Sequence, residues 1–244
     1  IPMPVTQLQP AKVRDLHTDR ILRHHSLLDS GITESHVRTA RHGYLANVSY
    51  FDDMLGDLLA TLRETGLSSN TVILLTADHG DMLGEHGLWF KKHFFDHASR
   101  VPLIVHAPEY FASGRSLVNV SLVDLLPTLC DLAGFKVGEH APQALDGSSL
   151  VSQCEHPEHA NSRAVYAEIT SEGVPAPMFM VRSGQYKLIQ GGDVPPVLYD
   201  LANDPEERSN VANQPELTDT RRSLGSLIQN YWDPTRHHSS VISD

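Results

Sequence analysis

One stretch, Thr71–Pro108, restricts the possible folds of this chain more than any other: TVILLTADHGDMLGEHGLWFKKHFFDHASRVPLIVHAP. Two apolar runs, Thr71–Thr76 and Val101–His106, bracket a segment dense in Asp, His, Lys and Glu. A short aliphatic and β-branched run without a polar face predicts a strand buried on both sides, the habit of a parallel sheet in an α/β protein. Such sheets place their ligands just beyond the carboxyl ends of the strands. Ala77-Asp78-His79-Gly80 falls at that place.

The flanking sequence has matching grammar. Thr33 is placed to cap a helix, and Glu34 favours the positive end of its dipole. Val37, Ala40, Tyr44, Val48, Phe51, Leu55, Leu58, Leu59 and Leu62 then recur at spacings of three and four, an amphipathic stripe. Gly66 is placed to close that helix in the left-handed region. Ahead of it, Arg14–Asp29 reads as a short helix and Ile1–Pro10 as extended surface chain. Downstream, Ser121 caps a helix that runs through Ala133, with Pro127 forcing a kink or a late start. Phe135–Leu150 and Gln153–Arg163 read as loops. From Ala164 the pattern changes to short strands, Ala164–Ile169, Met178–Arg182, Tyr186–Gln190 and Val197–Leu201, with a hairpin at Ser183-Gly184-Gln185. A final helix is expected over Leu217–Tyr231. The expected division is residues 1–150 in an α/β unit, a three-layer sandwich on a mostly parallel central sheet, and residues 151–244 in a smaller α+β unit, an antiparallel sheet with a packed helix.

Composition narrows the function. With 244 residues, 40% of them hydrophobic, a sizeable core is within reach. A net charge of −11 argues against nucleic acid or an anionic membrane as a partner of the bulk surface. No apolar run is long enough to span a bilayer. Cys130 and Cys154 do not make a disulfide framework, and Cys130 reads as a small buried hydrophobe. The chain opens without a secretory signal, and both ends read like the interior of a longer chain. The expectation is cytoplasmic, with the periplasm as the alternative.

Within the central stretch, Asp78 and His79 are adjacent where the chain leaves strict strand alternation, so both can point at one ion. An Asp oxygen with a His nitrogen suits Ca²⁺, Mg²⁺, Mn²⁺ or Zn²⁺. The plainer alternative is an aspartate capping the next turn beside a solvated histidine. Lys91 and Lys92 stand out in an acidic protein. Beside a metal, a lysine is a fixed positive charge for an anion or an acid for a leaving oxygen; otherwise the pair is ordinary surface. Glu85 reads as a solvated or structural carboxylate. His86, His93 and His97 carry the same ambiguity, and Asp52-Asp53 reads as helix surface.

TADHGDMLGEHGLWFK followed by FFDHASRVPLIVHAP closely resembles the second signature region of the type I sulfatases, a branch of the alkaline phosphatase superfamily, and within it the bacterial choline sulfatases. RHGYLANVSYFDDMLGDLL, LVDLLPTLCDLAG, GQYKLI and LYDLANDPEERSNVA extend the likeness over nearly the whole chain. The resemblance implies hydrolysis of a sulfate monoester such as choline-O-sulfate, one divalent metal (calcium first, manganese or magnesium as alternatives), Asp78 and His79 as metal ligands, and Lys91 on the sulfate and the ester oxygen. Many relatives have Asn where His79 stands. The family's C-x-P-S-R or S-x-P-x-R motif, whose Cys or Ser becomes formylglycine, occurs nowhere in this sequence. The chain therefore resembles the C-terminal half of a sulfatase. The implied partners are a small sulfate ester and an N-terminal half carrying the formylglycine, in an enzyme that forms homo-oligomers. The alternatives are a phosphonate monoester or phosphodiester hydrolase of the same superfamily, and a non-catalytic fragment.

Overall fold

The computed structural model describes residues 1–135, 145–159, 163–171, 173–191 and 193–232. Part of the expected Phe135–Leu150 and Gln153–Arg163 loops, and the tail after Trp232, lie outside these residues.

Asp15 caps the first helix, α1 (Leu16–His24), by accepting from the Thr18 amide. α2 (Glu34–Glu64) opens with a capping box between Thr33 and His36. It closes on Gly66 (φ +71°), where Gly66 N donates to Arg63 O at 3.1 Å and Leu67 N to Leu62 O at 2.9 Å. That is the double hydrogen bond of a Schellman end. β1 (Ile73–Thr76) follows, then a short helix α3 (Asp96–Ser99), and β2 (Leu103–His106).

β1 and β2 pair antiparallel, Ile73 opposite His106 and Thr76 opposite Leu103. The apolar runs alone point to a parallel arrangement. The link between these strands holds only the four-residue α3 besides a 3₁₀ turn, and a parallel return needs a crossover element long enough to span the sheet. Neither strand is buried on both faces: all of β1 is half-buried, and β2 alternates half-buried and exposed. The amphipathic stripe of α2 is likewise uncovered. No residue of α2 is buried, and Val48, Phe51 and Leu58 are each at least half exposed.

After a 3₁₀ turn at Leu122–Asp124 comes α4 (Leu125–Leu132). Pro127 sits in its first turn, so the α-helix starts late and the proline is tolerated. A five-residue helix, α5 (Val151–Glu155), interrupts what the sequence presents as polar loop. Cys130 is half-buried rather than buried, and both cysteines are free.

The C-terminal sheet runs in the order β3 (Val165–Ile169), β4 (Met178–Ser183), β5 (Tyr186–Gly191) and β6 (Val194–Asp200), all antiparallel. The period of two decides what each face covers. Met178 and Met180 of β4, with Ile189, Val197 and Tyr199, pack on α1 and on Met82, Leu88, Phe94 and Phe95 of the central stretch. Phe179, Val181, Leu188 and Leu198 face the other way, onto Leu224, Ile228 and Trp232 at the end of α6 (Thr218–Tyr231). β4 is thus buried on both sides, and each of its large side chains is worth about 1.5–3 kcal/mol of burial. The sheet holds the central stretch from below.

Candidate functional site

β1 ends at Thr76, and the chain turns through Ala77-Asp78-His79-Gly80. The Asp78 side chain is 85% exposed and that of His79 33% exposed, with Asp78 Oδ2 3.4 Å from His79 Nε2. Each side chain also has one atom committed to the backbone. Asp78 Oδ1 accepts the His79 amide at 2.9 Å, and His79 Nδ1 lies 2.8 Å from Gly80 O. A carbonyl oxygen can only accept, so Nδ1 carries a proton, and in the neutral ring Nε2 is the nitrogen left with a lone pair. Metal-binding histidines are commonly oriented in this way. The pair therefore presents a carboxylate oxygen and an imidazole nitrogen, both open to solvent, at the spacing of two ligands on one cation.

Gly80 locks this turn. Its amide donates to Ala98 O at 2.8 Å, and a Cβ at this position would stand 2.0 Å from His97 O. The glycine spacing reads as ordinary turn chemistry; here it is a close backbone crossing that no other residue permits.

Lys91 is exposed. It lies thirteen positions after Asp78, and the loop between folds back on itself. Met82 N donates to Phe90 O at 2.9 Å and Gly84 N to Leu88 O at 2.8 Å. Lys91 thus emerges one residue past a cross-loop hydrogen bond. Leu83, His86 and Phe90 all take positive φ, a costly conformation for residues with side chains, and one that clusters at functional loops. α2 braces the loop: Arg41 donates to Leu83 O at 2.9 Å, and the Tyr44 phenol lies near the Asp81 carboxylate. Burial, and then the Asp81 charge, push the Tyr44 phenol up.

The remaining candidates are built into the scaffold. Glu85 is buried and accepts from Val5 N at 3.0 Å, Thr6 N at 2.8 Å and Thr6 Oγ1 at 2.6 Å. Burial opposes its ionisation, but the Thr6 and Val5 hydrogen bonds win and hold the carboxyl below its usual range. Ile1–Pro10 is accordingly not plain surface chain, since Thr6 is only 3% exposed. Phe95 lies between two imidazoles, stacked at 3.9 Å on both His86 and His93. Burial drives the pKa of His86 down to about 4 and that of His93 well below the ordinary histidine value. Asp52 and Asp53 are exposed on α2.

The sequence reading passed over an ion cluster under the site. Lys187 Nζ donates to Asp96 Oδ1, to Phe94 O at 2.9 Å and to Glu207 Oε1 at 2.7 Å. Arg182 joins it through Asp96 Oδ2 at 3.2 Å, and Glu207 Oε2 accepts the Asp96 amide at 2.6 Å. Lys187 sits in an alternating strand pattern, where a lysine signals solvent; a buried one has no local sequence mark.

A family model described as Sulfatase matches residues 10–135, and another, described as N-sulphoglucosamine sulphohydrolase, C-terminal, matches residues 84–232. The chain is 40% identical over 206 residues to the choline-sulfatase of Rhizobium meliloti (strain 1021), covering 84% of this chain and 40% of that protein. It is 32% identical over 210 residues to arylsulfatase K of Bos taurus, covering 82% of this chain and 38% of the relative. Among solved structures, the phosphonate monoester hydrolase from Silicibacter pomeroyi superposes with a TM-score of 0.81 at 26% identity, over 95% of this chain and 50% of the other. A 2-O GAG sulfatase superposes with a TM-score of 0.78 at 27% identity, over 100% and 55% respectively. The fold is the alkaline-phosphatase-like α/β fold of these proteins. This chain spans about two-fifths of the length of its curated relatives. On the sequence matched at both its central stretch and its C-terminal sheet, the chain belongs to the sulfatase family.

Proposed function

We propose that the chain is the C-terminal part of a sulfate-ester hydrolase, with Asp78 and His79 holding one divalent metal and Lys91 meeting the sulfate. The observation that carries this reading is the 3.4 Å spacing of Asp78 Oδ2 and His79 Nε2, with the other imidazole nitrogen, Nδ1, already tied to Gly80 O. One carboxylate and one imidazole suit Mn²⁺ or Mg²⁺ as well as Ca²⁺. Bound there, the metal supplies positive charge for sulfate oxygens. Lys91 adds a second positive charge from the opposite limb of the loop and gives a proton to the departing ester oxygen. The nucleophile, a formylglycine, comes from an N-terminal polypeptide. The uncovered stripe of α2 and the half-covered β1–β2 pair supply an apolar face for it, and the chain's two-fifths share of its relatives supports such a partner. The choline-sulfatase of Rhizobium meliloti favours choline-O-sulfate as the substrate.

A second reading, a phosphonate monoester hydrolase, is supported by the Silicibacter pomeroyi neighbour; the metal and lysine would serve a phosphonate equally. The test pairs this chain with an N-terminal sulfatase segment carrying C-x-P-S-R. Choline-O-sulfate, an aryl sulfate and a phosphonate monoester are then assayed side by side, with and without Lys91→Ala. Sulfate release that drops about a hundredfold or more in Lys91→Ala is the expected result. Equal turnover in the variant would remove Lys91 from the site.

A further inference from the structure

We propose that the turn His156-Pro157-Glu158-His159 is a metal site of the class that takes Zn²⁺. Three side chains converge there. Glu158 Oε1 lies 3.6 Å from His156 Nδ1 and 3.7 Å from His159 Nε2. All three ligand atoms fall within 4.8 Å of one another, and the two imidazole rings stack at 4.9 Å. A tetrahedral Zn²⁺ with bonds of about 2.0–2.2 Å sets its ligand atoms about 3.3–3.6 Å apart. The glutamate–histidine edges are therefore almost at the required length before any ion enters, and the histidine–histidine edge closes by side-chain rotation in open solvent.

The backbone presents these groups on one side of a tight, anchored turn. His156 N donates back to Ser152 O at 3.0 Å as α5 ends, and His159 N donates to His156 O at 3.1 Å. Gln153 Nε2 spans both the His156 and His159 carbonyls, at 3.4 Å and 3.3 Å. Pro157 seats against Gly114 so closely that a Cβ there would stand 2.5 Å from the proline ring.

The donor set selects the metal. Two imidazoles and one carboxylate are borderline ligands, suited to Zn²⁺, Cu²⁺ or Ni²⁺, whereas Ca²⁺ and Mg²⁺ ask for oxygen. A fourth position stays open to water. The cluster does no structural work that would otherwise explain it, because exposed ion pairs of this kind contribute almost nothing to stability.

The test is a titration of Zn²⁺ into the 244-residue chain at neutral pH, in competition with a chromophoric chelator. His156→Ala, His159→Ala and Asp78→Ala are run in parallel, and thermal melts confirm that each variant is folded. Zn²⁺ uptake should include one equivalent that weakens about tenfold or more in either histidine variant and persists in Asp78→Ala, which removes uptake at the Asp78–His79 pair. Co²⁺ should give histidine-ligand visible bands that are lost in the His156→Ala/His159→Ala double variant. Zn²⁺ affinity unchanged by the double variant, or no Zn²⁺ uptake by the unaltered chain, would overturn the assignment.

Discussion

Lys187 Nζ, on β5, lies 2.7 Å from Glu207 Oε1, and both side chains are 1% exposed. The same ammonium reaches Asp96 and the Phe94 carbonyl. One buried cation thus fastens the end of the central stretch to the C-terminal sheet. Burial works against the Asp96 carboxylate, but the Lys187 charge and hydrogen bond, with Arg182 and Arg100, hold it below the usual range. Burial pushes the Glu207 carboxyl up.

Removing that cation strands two carboxylates in a dry site. Lys187→Met should cost about 3–5 kcal/mol, read as a lower urea midpoint. Glu207→Gln should cost less, since burial already favours the neutral form of that group. A Lys187→Met midpoint equal to that of the parent chain would show that the cluster is not holding the two parts together.

The stacked histidines set the acid limit of the fold. The pKa of His86 is about 4 in the fold against an ordinary 6.5, so above the higher value both folded and unfolded states are neutral there. As pH falls between the two values, the unfolded chain takes up a proton that the folded one refuses, and stability declines. His86 alone accounts for about 3 kcal/mol by the lower end, with His17 and His93 adding in the same direction. Thermal melts across that window should show a steep slope, made shallower by His86→Asn. An unchanged slope would place the acid sensitivity elsewhere.

Glu85 is the anchor of the N-terminal segment. Glu85→Ala removes the three hydrogen bonds from Val5 and Thr6, and a longer one from Arg41 at 3.5 Å, and should cost about 2–3 kcal/mol. It should also open the segment before α1 to limited proteolysis, followed by mass spectrometry. The contribution of this carboxylate is present above the unfolded carboxyl value of 4.5 and fades as pH falls through the lower folded value.

Gly80→Ala tests whether the Asp78 turn depends on its backbone crossing. A methyl 2.0 Å from His97 O must displace either the turn or the segment after Phe95. Divalent-metal affinity at Asp78 and His79, followed by calorimetry, should weaken together with the melting temperature. An affinity equal to that of the parent chain would separate the turn from the pair it carries.

These particulars show how far the sequence could be read. Period and punctuation located α2, the hairpin at Gly184 and the C-terminal helix, because caps, turns and apolar spacing are local properties. Asp78, His79 and Lys91 were singled out from a strand end and a family likeness, and the structure sets the first two side by side. Strand direction was not legible, because an apolar run carries no mark of which way its neighbour travels. Lys187 was missed, and Glu85 was left open between solvated and structural, for a related reason: a charged residue buried by partners 20 and about 80 positions away looks identical in sequence to one in water.

The uncovered state of α2 makes that helix a natural gauge of association. A helix of 31 residues with no buried side chain keeps its amides in place through its own ladder and its two end caps. In deuterated solvent it should open early, while the amides of β4 and β5, packed on both faces, exchange last. Any polypeptide that settles over Val48 and Phe51 will slow α2 without touching the signal from Val181 or Leu188. The ratio of the two protections then measures how fully the surface around the Asp78 turn has been enclosed.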